Sequence, residues 1–333
     1  MKLLLLFHIM SVTVALAATT HTSGTNTSKE QAKALIDKAL QMTDIRISGS
    51  PPFRLRAQVR LSALVGPDLS GTYLLEWAAP DRFYEGTSFP LFEETQTAQG
   101  DRLWRRRSLP YIPYHIWQMQ SLIPSYPGLS LAEKSKVGKI REVKKDGIRM
   151  LCIETSYEET LKEVCLDPTS GAPLRIAIPD LSLTYEFSDY ASIGPKVFAH
   201  RRRLFVDRKL VVEIRVETIE TGLSFPPERF AAPAGAQRLA WCPDPKREEL
   251  LKGADWPPFY DAPGGAWARP RGLLAVYGVI RRDGRLHNLT VVAPLDKTYD
   301  QYVLKNLEQF LYRPAYCGEV PIERDFMWQM VSR

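Results

Sequence analysis

The sequence is poor in the residues that build catalytic and metal centres. Its 333 residues include only five histidines and four cysteines. No two cysteines stand in a C-x-x-C arrangement, which leaves thiol–disulfide exchange without its motif. No histidine is spaced to complete a zinc site with the scattered cysteines. No glycine-rich phosphate loop is present. His115 and His200 lie among aromatic and arginine residues, and His287 follows a turn signal, so all three read as structural or exposed. Asp180, Glu186 and Asp189 show no metal spacing. No nucleophile, base and orienter come together, and we expect no catalysis, no cofactor and no metal.

Charge of one sign is also scarce. The formal net charge is +6. That is mild for this length, and with export it argues against a nucleic-acid partner. The runs Arg105, Arg106, Arg107 and Arg201, Arg202, Arg203 read as solvated strand faces, the alternative being contact with lipid headgroups. Long apolar runs are missing after the first residues, so no integral transmembrane segment is expected in the mature chain. The N-terminus is the exception. Lys2 precedes LLLLF and HIMSVTVALAA, and Ala15 and Ala17 form an Ala-x-Ala site. We read residues 1–17 as a signal peptide cleaved near Ala17, the alternative being an uncleaved anchor. No cysteine stands at that site to take a lipid.

What is present is mostly strand pattern. After a polar, flexible tail (18–27), residues Lys29 to Thr43 repeat apolar positions at helical spacing, with Ser28 as a plausible cap. The period then changes to two. Phe53, Leu55, Ala57, Val59 and Leu61 share one face, against Arg54, Arg56, Gln58 and Arg60 on the other. Further strands follow from Gly71 to Phe89 and around Leu103 and Trp104. A short helix is expected within 112–124, and sheet returns from 137 to 220. A one-layer antiparallel sheet of this length must close, be plugged by helices or hold a ligand on its apolar face. The predicted architecture for 28–222 is α+β, a curved, unclosed antiparallel β-barrel with helical plugs. Trp77, Phe83, Trp104 and Trp117 would line its cavity.

The cysteines fit two bridges. If Ser156 faces Leu161 across a hairpin, Cys152 faces Cys165. Cys242 and Cys317 then pair by exclusion, tying a Pro/Gly-rich connector (223–269, with a possible short helix at 245–252) to the last unit.

The elements Trp77, Pro80, Arg82, Phe83, then Gly100, Leu103, Trp104, and later the Asp167-to-Gly171 hairpin, resemble the periplasmic lipoprotein-carrier (LolA/LolB-like) superfamily over about residues 30–220. That resemblance implies a periplasmic protein whose sheet receives a lipid or an acylated peptide.

Residues 270–333 read as a β-β-α-β unit. Strands are expected at 273–280 and 286–292 around the turn Asp283, Gly284, a helix at 299–311 and a final strand at 320–330. The order Gly278, Asp283, Gly284, Val291, Leu307, Phe310, then Arg313, Pro314, Ala315, Gly318 and Pro321, resembles the TonB C-terminal domain family. That resemblance implies docking to an envelope protein, with strand addition at the sheet edge as a physical route. Arg313, Pro314, Phe326 and Trp328 are its candidate docking residues. Energy transduction would need a transmembrane helix that this chain lacks by the reading above.

Two functions are therefore expected as alternatives: a carrier of a lipid or acyl chain that docks through its last domain, or a protein–protein scaffold with no lipid cargo. Peptide mapping without reduction should recover Cys152 joined to Cys165 and Cys242 joined to Cys317; any other pairing contradicts the strand register.

Overall fold

A computed structural model describes residues 23–47, 50–62, 68–123, 126–129, 131, 135–157, 160–243, 245–254 and 272–332. The expected leader lies outside these residues, as does 255–269 of the connector.

The chain opens with helix α1 (Ser23–Thr43), which starts before the expected Lys29 and so places Ser28 inside the helix rather than at its cap. Its buried stripe is Ala32, Ile36 and Ala39. The Thr43 hydroxyl closes the last turn by donating to the Ala39 carbonyl at 2.7 Å.

Strands β1 (Phe53–Leu61), β2 (Leu69–Ala79), β3 (Arg82–Phe89), β4 (Phe92–Gln99) and β5 (Arg102–Arg107) form a meander. Helix α2 (Tyr114–Leu122) follows. A second meander comprises β6 (Lys136–Lys145), β7 (Ile148–Tyr157), β8 (Thr160–Leu166), β9 (Pro173–Ile178), β10 (Leu183–Ile193), β11 (Lys196–Val206) and β12 (Lys209–Thr221). The two meanders join where β1 pairs with β12, with Val59 opposite Ile214 and Leu61 opposite Val212. Strand β13 (Gln237–Ala240) adds at the far edge beside β5.

The result is one 13-stranded sheet in the order β13-β5-β4-β3-β2-β1-β12-β11-β10-β9-β8-β7-β6. It corrects the expected curved, unclosed barrel: the order is linear, β13 and β6 are distinct edges, and the sheet is neither closed nor strongly curled. The helices lie on the sheet instead of plugging a barrel. Edge β6 carries Lys136, Lys139, Lys144 and Lys145, charges that discourage pairing with another chain.

One face of the sheet is apolar. Phe53, Leu55, Ala57, Val59 and Leu61 are buried on it, in strict alternation with Arg56, Gln58 and Arg60, which are exposed. Ile116, Met119 and Leu122 of α2 pack into the same core as the α1 stripe. Each such side chain, once buried, contributes about 1.5–3 kcal/mol.

The connector contains β13 and β14 (Glu249–Lys252); the latter corrects the expected helix at 245–252. The last unit has β15 (Gly272–Ile280), β16 (Leu286–Ala293), helix α3 (Lys297–Leu307), the short strands β17 (Leu311–Arg313), β18 (Ala315–Cys317) and β19 (Val320–Ile322), and β20 (Arg324–Ser332). Its β-β-α-β order is as expected, but the helix stops at Leu307 and the expected last strand divides into β19 and β20. Asp296 caps α3 by accepting from the amides of Thr298 and Tyr299, both at 3.0 Å. Gly284 holds φ +78°, and an added Cβ would lie 1.9 Å from the Tyr312 carbonyl, so the turn needs glycine. Disulfides join Cys152 to Cys165 and Cys242 to Cys317.

The sheet β16-β15-β20 buries both faces. Leu274, Val276 and Ile280 pack on α3 with Val303 and Leu307. Tyr277, Val279, Val292 and Met327 join the core of the large sheet. Among the described residues no helix is long and apolar enough to cross a membrane.

The solvated-face reading of the arginine runs also changes. Arg202 is fully buried. Its Nη1 donates to the carbonyls of Leu122 at 2.6 Å and Ile123 at 3.0 Å, clamping the end of α2 to β11. Its guanidinium stands 3.8 Å from the Phe198 ring centroid and 4.3 Å from that of Tyr126. Replacement by Met should lower the unfolding free energy by about 2–4 kcal/mol, because two buried carbonyls lose their donor. Urea denaturation checks this; an unchanged midpoint would remove Arg202 from its clamping role.

Candidate functional site

The expected cavity residues take different places in the sheet. Trp77 and Phe83 are 2% and 1% exposed. They stack with Phe53 across β1, β2 and β3. The Arg46 guanidinium lies 5.3 Å from both ring centroids. Trp117 is half-buried against the core. Trp104 lies on the opposite face of the sheet, between Thr97 and Arg238.

The expected docking residues are similarly dispersed. Phe326 and Trp328 pack with the α3 core, and Phe326 meets the Tyr312 ring edge-on at 5.6 Å. Exposed Arg313 pairs with Glu249 at 2.5 Å, and Pro314 separates β17 from β18.

Two constructed features stand out instead. The first fastens the last unit to the sheet. Arg105 and Arg107 face inward from β5. Arg107 Nε donates to Glu94 at 2.6 Å, and its Nη2 donates to Asp325 at 2.7 Å. Arg105 reaches the same carboxylate at 2.6 Å, and the Tyr277 hydroxyl donates to it at 2.6 Å. Gln120 of α2 donates to the second oxygen of Glu94 at 2.5 Å. Tyr114 of α2 donates to Gln329 at 2.6 Å and accepts from Gln118. His115 is bonded to Gln118 in turn, and burial lowers its pKa. Burial alone would raise the Asp325 pKa; Arg107 and Arg105 outweigh it and hold the carboxyl below its usual range.

The second feature is a groove on the outer face, with a volume of about 530 Å³. Its floor is cross-strand: Tyr84 stands opposite Thr97, and Thr95 opposite Arg106. Its wall is the connector segment 226–233, contributing Glu228, Arg229 and small Ala and Pro residues. Arg229 pins that segment down. It pairs with Glu76, a buried carboxylate also bound by Arg54 at 2.7 Å, and lies 4.1 Å from the Tyr84 ring centroid. Phe230 is buried beside it. Thr97 is fully buried and its hydroxyl has no hydrogen-bond partner. Among the described residues no acid pairs with exposed Arg106. Of these positions only Arg106 was weighed for binding in the sequence, as part of its arginine run. Strand alternation is the signal that places Tyr84, Thr95, Thr97 and Arg106 on one face, whereas the wall comes from a connector without periodicity.

No protein-family model matches the chain, and no curated protein does. Solved structures with a partial likeness include a LolA superfamily protein from Nitrosomonas europaea, 11% identical with a TM-score of 0.38, covering 60% of this chain and 97% of that one. A DUF1329 family protein from Desulfovibrio piger is 14% identical with a TM-score of 0.38, at the same coverages. The Pseudomonas aeruginosa MucA/MucB complex is matched at 12% identity with a TM-score of 0.25, over 69% of this chain and 68% of that one. None of these three reaches a TM-score of 0.5. None of the three is described as a TonB C-terminal domain, and that resemblance stands on the sequence motif alone.

Because the Asp325 pKa is depressed, the stability it adds is fully present above its unfolded value, about 3.9, and is lost as pH falls below that value. Asp325→Asn should cost about 3 kcal/mol at neutral pH and flatten the acid limb of the melting curve. Thermal melts of both proteins from pH 7 to pH 3 check this. Parallel acid limbs would show that Asp325 does not set the acid sensitivity.

Proposed function

We propose that the chain is an exported, non-enzymatic component of a bacterial envelope that binds another protein, and that it carries no acyl cargo. The observation that supports this is the occupation of the sheet's apolar face. Helices α1 and α2 and the sheet β16-β15-β20 bury that face, and Trp77 and Phe83 are spent in it. An acyl carrier needs an apolar cavity. The groove on the other face is mixed rather than apolar, with threonine, tyrosine, glutamate and two arginines beside small Ala and Pro residues. The leader-like N-terminus and the two disulfides fit an oxidising compartment outside the cytoplasm. Docking through an edge of the last sheet, the mode implied by the TonB-like motif, fits the same reading. Its edges are β16 and β20.

Native mass spectrometry of the protein purified from envelopes without detergent tests this. The expected spectrum shows the bare chain, unchanged after incubation with phospholipid vesicles and an acylated peptide. A bound mass that is lost on organic extraction and fragments as a lipid would overturn the reading.

A further inference from the structure

Resting on this protein-binding reading, we propose that the outer-face groove receives an extended acidic peptide by holding one of its carboxylates at Arg106. Arg106 is an exposed guanidinium at the rim with no acidic partner among the described residues, whereas Arg229 across the groove is committed to Glu76. A guanidinium and a carboxylate form short, charge-assisted hydrogen bonds. The Glu228 carboxylate also lines the groove. Its negative charge favours a singly charged carboxylate over a doubly charged phosphate.

The floor supplies the second observation. Thr97 lines the groove, is fully buried, and its hydroxyl lacks a partner. A buried hydroxyl left without a partner is costly. Thr97 and Thr95, on one face of β4, would meet the N–H and C=O groups of an extended peptide running beside the carboxylate. The volume of about 530 Å³ falls in the range of ligand pockets. Gly86, opposite Thr95, keeps the floor low: an added Cβ would stand 3.2 Å from the Tyr84 hydroxyl.

The test is fluorescence anisotropy on the full mature chain. The probe is a labelled heptapeptide with one Asp and one Glu, compared with the same peptide carrying Asn and Gln. The acidic peptide should bind at least about tenfold more tightly, the effect of one charge-assisted hydrogen bond. Arg106→Ala should weaken acidic-peptide binding by about the same factor and leave the melting temperature unchanged. Thr97→Val should weaken binding several-fold without lowering the melting temperature, because an isosteric apolar group replaces an unpaired buried hydroxyl. Thr87→Val is the control. Thr87 is also buried with an unpartnered hydroxyl, but it shares the core face with Phe83 and Phe89, so binding should not change.

Equal binding of both peptides, or wild-type affinity in Arg106→Ala, would overturn the proposal. Competition by inorganic phosphate well below the acetate concentration needed would overturn the carboxylate assignment. A co-purifying lipid would instead refute the protein-binding reading while leaving these variant comparisons intact.

Discussion

A single-layer antiparallel sheet with one apolar face cannot remain uncovered in water, and this constraint organises the whole chain. The sequence makes that face large: Phe53, Leu55, Val59, Leu75, Trp77, Phe83 and Phe198 are all buried on or beside it. Two amphipathic helices are too few to cover thirteen strands. The chain's own C-terminal sheet completes the cover, with Tyr277 and Met327 entering the large core while Val276 and Leu274 keep the helix α3 side. Burial on both faces makes β15 a nearly continuous apolar run, Leu273 to Ile280.

Polar chemistry sets how these layers meet. Hydrophobic burial is not directional, whereas the Glu94–Arg107–Asp325 chain is. It fixes one register of the last unit on β5, and Gln120 brings α2 into the same network. Arg202 does the equivalent at the C-terminal end of α2, through the Leu122 and Ile123 carbonyls. Inward-facing cations on an apolar face are expensive, and here each is met by carboxylates, carbonyls or aromatic rings. Because the apolar side is consumed in holding the chain together, the face left for recognition is the outer one. There Glu76 and Arg229 lay the connector across β3 and β4 to form a groove.

Much of this was legible in the sequence. The alternation in 53–61 gave β1 and its buried face, and the hairpin register gave the Cys152–Cys165 pairing. The turn at Asp283 and Gly284 and the stripe with Val303 and Leu307 gave the order of the last unit. The curl was not legible, because local alternation looks the same in a weakly curled sheet and in an unclosed barrel; the linear strand order with β13 and β6 as separate edges is a long-range property. The arginine runs were misread for a simpler reason. On a strand, neighbours point to opposite faces, so a run of three must send at least one residue inward. Arg202 is that residue in one run, and Arg105 and Arg107 are those residues in the other. Aromatics on an apolar face serve packing as readily as ligand binding: Trp77 and Phe83 lie under the Arg46 guanidinium, and Phe83 meets Trp241 edge-on, neighbours that strand alternation does not reveal.

The most direct test of this account is hydrogen exchange of the full mature chain. If the C-terminal sheet is part of the cover, amides of β15 and β20 should exchange only with the global opening that also releases β11 and β12. Rapid exchange in β15 and β20 while β11 and β12 stay protected would show a separately opening unit, and the claim that the chain fills its own apolar face would be wrong.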